Sequence, residues 1–299
     1  MDEPSGRLSA QIQRFLRKPS QEKLKSVRFR LLRLFRKRSG TISLPFGAKW
    51  VLEESALDSQ LQSGSFETAE TRFVEAFLRS ATTVLDIGAH HGYYTLLASM
   101  LVGNRGRVFA FEPSPRERNR LERHVQINKC TNVVIEQIAL GAETGEADLF
   151  LVDGAEDYCN SLRTPAINAP THKVRVSVDT LDQFLIRNHI PDVDFIKLDV
   201  EGAELSVLKG ASSLLTQSRP PVFMIEVYDI RTRPWGYAAR EIIQHLTQHT
   251  YTWFRLAANG SPVPIEAGRD SLDANFVAVP VQRMQRFLES VKSCFQRTV

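Results

Sequence analysis

The chain has 299 residues, 42% of them apolar and 24% charged, with a formal net charge of +4. This length and composition exclude a fibrous or disordered chain and fit one large α/β domain with extensions, or two small domains. Its three scattered cysteines, Cys130, Cys159 and Cys294, have no CxxC spacing, which argues against a disulfide framework or a zinc site and for a reducing compartment.

Charge is unevenly spread: residues 1–40 carry 12 Lys or Arg against 3 Asp or Glu, and the remainder 26 against 31. Within this arm Leu8, Ile12, Phe15 and Leu16 share a helical face, and Leu24, Val27, Leu31, Leu34 and Phe35 repeat the pattern after Pro19. Arg28, Arg30, Arg33, Arg36, Lys37 and Arg38 cover much of the rest. Residues 8–38 are therefore expected to form a basic amphipathic segment, able to lie peripherally on an anionic membrane or to meet an acidic partner. The net-acidic body, without a recognition motif, argues against nucleic acid. No apolar run approaches the ~18–20 residues of a membrane-spanning helix and the arm lacks a secretory core, so the expected location is the cytoplasm. Residues 40–45 read as a linker, which divides an arm, 1–45, from a body, 46–282, and a C-terminal amphipathic helix, 283–299.

Trp50 to Leu52 reads as a short strand, and Phe66, Ala69, Phe73, Val74, Phe77 and Leu78 have helical spacing. Val84 to Ile87 is an apolar run whose one charge is Asp86, as in a buried parallel strand. After Gly88-Ala89-His90-His91-Gly92 comes an apolar-rich helix from Tyr93 to Leu101. Arg107 to Glu112 predicts a second buried strand; Ser114, Pro115 and Glu117 then spell a capped helix start with a capping box. With Val133 to Leu140 as a third strand, this stretch reads β-α-β-α-β. Ala147 to Val152 and Lys173 to Val178 alternate like half-exposed strands around a polar insertion, residues 153–171. Thr180 and Gln183 cap the next helix, and Asp194 to Asp199 and Pro221 to Tyr228 supply two further core strands. Ala238 to His249 reads as a helix; Tyr251 to Leu256 and Asn275 to Val279 follow as closing strands suited to antiparallel pairing.

The glycine turn at a strand end gives a ligand access to main-chain N–H groups at a helix N-terminus. Glu112, at the next strand end, is placed to accept hydrogen bonds from ribose hydroxyls. Together they specify a nucleoside-containing cofactor. A nicotinamide dinucleotide, and with it an NAD(P)-dependent oxidoreductase, requires G-x-G-x-x-G, which the turn lacks. Asp86 would repel a pyrophosphate but favours the cationic groups of S-adenosylmethionine, so the balance is for the methyl donor.

These residues resemble the FkbM family of S-adenosylmethionine-dependent methyltransferases over about residues 70–280. The resemblance rests on VLDIGAHHGYYT, FAFEPSP, VSVDTLDQFL, DFIKLDVEGAELSVLKGA, EVY and NFVAVP. One departure is His90, where the family commonly has Asn. The resemblance implies a Rossmann-like, doubly wound, mostly parallel sheet of the seven-stranded class I methyltransferase type, here with a β insertion and an N-terminal helical arm. It implies that Asp86, Gly88, Ala89, His90 and Gly92 hold the methionine half, that Glu112 binds the ribose, and that Ala139 borders the adenine. The implied reaction is O-methylation of a small hydroxylated acceptor such as a sugar or natural-product scaffold.

Methyl transfer needs alignment of nucleophile and methyl, and a base to take the hydroxyl proton. Asp199 at its strand end is the first candidate, with Glu201 and Glu226 beside it; Glu204 reads equally well as a helix first-turn acid. His90 and His91, as neighbours in a turn, are expected to point apart. Asn160, Ser161 and Tyr228 are candidates for the acceptor side. Asp199 and Glu226 lack a definite third ligand, so no metal is expected. A donor-binding or membrane-associated scaffold without turnover is the remaining alternative from another class.

Overall fold

The computed structural model describes residues 40–53, 55–80, 82–153, 159–165, 167, 169–265 and 272–295. The basic segment 8–38 lies outside the described residues. Among those described, no helix is long and apolar enough to cross a membrane.

The stretch expected as a linker is ordered. Strand β1 (Thr41–Ser43) pairs antiparallel with β2 (Lys49–Val51), and the reversal is closed by the Gly47 N–H donating to Leu44 O at 2.8 Å. Leu44 and Trp50, 3% and 0% exposed, anchor this hairpin in the core. The Trp50 indole N–H donates to Asp58 Oδ1 at 2.7 Å. Asp58 belongs to α1 (Ala56–Ser63), and Arg120 Nη2, 3.0 Å from the same oxygen, ties the hairpin to the body. Helix α2 (Thr68–Phe77) buries Phe73 and Val74.

The body alternates as its periodicity predicts. Strand β3 (Thr83–Ile87), helix α3 (Tyr93–Val102), strand β4 (Arg107–Phe111), helix α4 (Pro115–Ile127) and strand β5 (Val133–Glu136) form the first half-sheet. The expected third strand is shorter than its apolar run: the chain breaks after Glu136, and β6 (Ala139–Leu140) leaves to pair with another sheet. That sheet contains β7 (Gly145–Val152) and β8 (Thr171–Asp179), which are antiparallel, and its order is β6-β8-β7. Val176 packs there with Ala139, Leu149 and Leu151, so one apolar face of the insertion is buried.

Helix α5 (Leu181–Arg187) starts as expected, with Thr180 Oγ1 accepting from the Gln183 N–H. The second half continues through β9 (Phe195–Leu198), α6 (Glu204–Lys209), α7 (Ser212–Leu215), β10 (Val222–Val227), α8 (Asp229–Thr232) and α9 (Arg240–Gln248). Strands β11 (Tyr251–Leu256), β12 (Pro262–Pro264) and β13 (Ala274–Pro280) precede α10 (Met284–Phe295). The main sheet runs β12-β11-β13-β10-β9-β3-β4-β5; β9, β3, β4, β5 and β10 are parallel, and β13 is antiparallel to both neighbours. This is the doubly wound arrangement that the alternation predicts.

Both faces are covered, which explains the near-continuous apolar strands. Val84, Val108 and Phe195 face one core with α2 and α3, whereas Leu85, Ile87, Phe109 and Ile196 face the other. Helix α10 joins the first core through Phe287 and Val291, 2% and 4% exposed. The parallel register sets Asp86 beside Lys197, so two charged groups share an otherwise apolar face where the strands end.

Candidate functional site

The turn after β3 is held by its neighbours. Gly88 and Ala89 N–H both donate to Phe111 O, at 3.1 and 3.0 Å, and the His90 N–H donates to Glu112 Oε2 at 2.7 Å. The other oxygen of Glu112 accepts from the Ser114 N–H at 2.9 Å. Each carboxylate oxygen keeps further acceptor capacity, and both are fixed before any ligand arrives. Gly88 has φ +86°, and a Cβ there would lie 1.8 Å from Asp199 O, so only glycine lets the turn lie against the end of β9. Gly92 has a different duty: a Cβ would meet Leu121 Cδ1 at 2.4 Å, and Gly92 does not line the cavity. It serves the approach of α4 to α3.

A cavity of about 330 Å³ opens at these strand ends. It is lined by Asp86, Gly88, Ala89, His90, Glu112 and Ala139 on one side and by Asn160, Asp199, Glu201 and Glu226 on the other. Its size suits a small-molecule site. Tyr228, expected on the acceptor side, follows β10 and stands outside this lining. Ser161, expected with Asn160 on the acceptor side, lines it, and three charged groups that the sequence reading did not single out join it: Glu67, Lys197 and Arg231. For Lys197 a signal existed, because a lysine inside the buried strand FIKL two residues before Asp199 must share its face.

Asp86, 2% exposed, accepts from Thr95 Oγ1 at 2.5 Å, and burial pushes its carboxyl up to about 6. Burial, with Glu117 adding to it, lifts Glu112 to about 8. The far side is more acidic. Asp199, Glu201 and Glu226 bring carboxylate oxygens within 4.8 Å of one another. Lys197 Nζ lies 2.9 Å from Asp199 Oδ2 and donates to Asn275 Oδ1 at 3.2 Å. Arg231 Nε lies 2.8 Å from Glu201 Oε2. Burial pushes Glu201 up to about 8, and Glu226 well above the usual carboxylate range. Three acids thus converge with two cations. Glu204 does something else: its Oε1 accepts from Val200 and Gly202 N–H at 3.0 and 3.2 Å, closing the turn before α6.

Two local expectations need correction. His90 and His91 do not diverge; their rings stack at 3.6 Å between centroids with 26° between planes. The left-handed backbone at His90, φ +52°, makes the turn fold back on itself and brings the rings together. Ser114 and Glu117 do not form the expected capping box. Ser114 Oγ bonds the Glu117 carboxylate directly, while its N–H is taken by Glu112. The nearby strand-end acid outcompetes the helix's own cap.

The protonated carboxyls of this cavity make stability pH-dependent. In the folded chain Glu112 and Glu201 hold protons up to about 8, against an ordinary 4.5. Above about 6.5, where the buried His90 and His91 are neutral in the folded and unfolded chain alike, unfolding releases these carboxyl protons, so stability falls as pH rises to about 8. Thermal melts of the donor-free chain between about pH 6.5 and 8 should show this decline, and Glu201→Gln should flatten it in part; a melting temperature that climbs across the window would contradict the assignment.

Comparison with known proteins yields a family match: residues 86–252 match the model described as the methyltransferase FkbM domain. "Methyltransferase 1" of Beauveria bassiana is 30% identical over 145 residues, covering 42% of this chain and 57% of that protein. "2-O-methyltransferase NoeI" of Sinorhizobium fredii is 26% identical over 148 residues, covering 46% and 60%. "Hexuronic acid methyltransferase AglP" of Haloferax volcanii is 27% identical over 136 residues, covering 44% and 50%. The chain therefore spans little more than half the length of these relatives.

Proposed function

Because the chain belongs to the FkbM methyltransferase family, whose methyl donor is S-adenosylmethionine, we propose that it methylates a hydroxyl of a small molecule such as a sugar or natural-product scaffold. The observation that carries this reading is the placement of Asp199: the strand end that presents it lies against the glycine turn, in the same cavity. The printed name of the Sinorhizobium relative, a 2-O-methyltransferase, supports oxygen as the nucleophile.

The residues present fit the donor. Glu112, its oxygens fixed by two backbone N–H groups, suits the vicinal hydroxyls of a ribose, and Asp86 suits an ammonium directly or through water. His90 and Ala89 would border the methionine half and Ala139 the adenine. When bound, the donor supplies an activated methyl group on a sulfonium. The chain then has two tasks, alignment and proton removal. Asp199 takes the acceptor's proton as the oxygen attacks. Lys197, buried between Asp199 and Asn275, fixes the direction of that carboxylate. Glu201 and Glu226, both raised by burial, hold the acceptor hydroxyls by hydrogen bonds. Asn160 borders the acceptor end.

A donor-consumption assay against a panel of glycosides, lipids and amines tests this reading. Turnover is expected with hydroxylated glycosides; turnover confined to amines would overturn it. In parallel, Glu112→Gln should weaken S-adenosylmethionine binding about 10–100-fold by calorimetry, since both oxygens of Glu112 accept backbone N–H groups and the amide –NH2 can accept neither, which turns the side chain away from the ribose hydroxyls. Unchanged affinity would remove Glu112 from the donor site.

A further inference from the structure

We propose that His90, His91 and Glu117 form a binding site for a borderline divalent cation of the Zn2+ type, built into the wall of the donor cavity. One ring nitrogen from each histidine and one oxygen of Glu117 all lie within 4.8 Å of one another. His91 is 2% exposed and Glu117 1%, so the cluster is a property of the interior and not of a solvated face. The decisive observation is independent of that proximity. Two buried ring nitrogens, His90 Nε2 and His91 Nδ1, have no hydrogen-bond partner among the described residues. A buried polar atom without a partner costs on the order of 1–3 kcal/mol, and two in one spot call for a ligand.

The chemistry selects the class of that ligand. Two imidazoles and a carboxylate are the donor set of zinc and its neighbours, not of magnesium or calcium. His90 Nε2 and His91 Nδ1, without partners among the described residues, are the atoms such an ion would take up. Ligand atoms on a tetrahedral zinc stand roughly 3.4 Å apart, so the three need to close by little more than 1 Å. The rings lie 3.6 Å apart between centroids with 26° between planes, so the histidines must splay only modestly to turn both lone pairs onto one ion. Glu117 is supported from outside by the Ser114 hydroxyl and by Arg116 Nε, the kind of outer partners that orient a ligating carboxylate.

Nearby positive charge does not prevent this. Arg120 Nη2 is held by Asp58 at 3.0 Å and its Nε lies 3.4 Å from Glu53; Arg116 also reaches Asp153 at 3.4 Å. The acidic trio across the cavity differs in a telling way: Lys197 and Arg231 already stand against Asp199 and Glu201. Cysteine spacing carries no trace of the histidine site, since none of its ligands is a cysteine.

The test uses the full, untagged chain, stripped of metal and titrated with Zn2+ against a chromophoric chelator. One equivalent is expected to bind, with only nitrogen and oxygen neighbours by X-ray absorption. His91→Gln should weaken binding at least ~100-fold, and Glu117→Gln at least ~10-fold. Asp199→Asn should bind as the parent does, as should His249→Ala, which removes half of the His245–His249 pair on α9. Circular dichroism checks each variant's fold, and if His91→Gln does not fold, Glu117→Gln decides. Absence of a bound equivalent, sulfur in the metal shell, or parental affinity in the folded cluster variants would overturn the site. So would loss of zinc in Asp199→Asn or His249→Ala.

Discussion

Asp199→Asn is expected to lower the rate of methyl transfer by about 10²–10⁴-fold, the usual contribution of a positioned base, while S-adenosylmethionine still binds with its parental affinity. The amide has the shape of the carboxylate and can keep an oxygen toward Lys197, 2.9 Å away in the parent. What it lacks is a site for the acceptor's proton. Single-turnover rates with an acceptor from the panel, set beside donor calorimetry, separate the two effects. Full turnover in Asp199→Asn would remove the base, and a parallel loss of donor affinity would reassign Asp199 to cofactor binding. Glu226→Gln provides the contrast: burial and the neighbouring acids favour the protonated form of this carboxyl, which the amide resembles, so its cost should fall on KM and not on kcat.

Gly88→Ala should destabilise the fold by about 3 kcal/mol, adding an overpacking cost of ~1–3 kcal/mol to a positive-φ cost of ~1–2 kcal/mol. The methyl would have to occupy space held by Asp199 O, 1.8 Å from the Cβ position, and that oxygen is backbone that cannot swing aside. Gly64→Ala isolates the conformational part. Gly64 also has positive φ, +66°, but a Cβ there meets nothing within 4 Å, so about 1–2 kcal/mol is expected. Urea midpoints for the two variants give the difference. Equal losses would mean that the turn does not press on the end of β9.

Much of this architecture is legible in the residues because the strong signals are local. A buried strand, a glycine turn and an apolar helix follow each other within VLDIGAHHGYYT, and strand-end acids such as Glu112 and Asp199 follow from the alternation. What resisted reading depends on partners far away in sequence. Val133 to Leu140 has one continuous apolar pattern, yet β6 separates because β8, formed more than thirty residues later, offers it a second sheet. Residues 40–45 look like a linker until Leu44 and Trp50 find their buried places. Ser114 and Glu117 have the capping-box spacing, but Glu112 takes the serine N–H. Within the site, Arg231 and Glu67 arrive from separate helical regions at opposite ends of the sequence, and no spacing rule connects them to Asp199.

The strand bridge at Phe150 and Ser161 has a consequence for how this scaffold can be altered. Phe150 and Ser161 exchange backbone hydrogen bonds of 2.9 and 3.2 Å, and Ser161 Oγ donates to Glu201 O at 2.8 Å. The segment between them is therefore clamped at both ends, and one clamp rests on the backbone of Glu201 in the cavity lining. With its ends fixed, changing its length adds only slowly to closure entropy, ~0.6 kcal/mol per doubling. On the reading proposed above, acceptor selectivity should be open to change by exchanging residues 153–160 with Leu151, Val152 and Ser161 kept, since Asp199 is held by β3 through its N–H on Ile87 O.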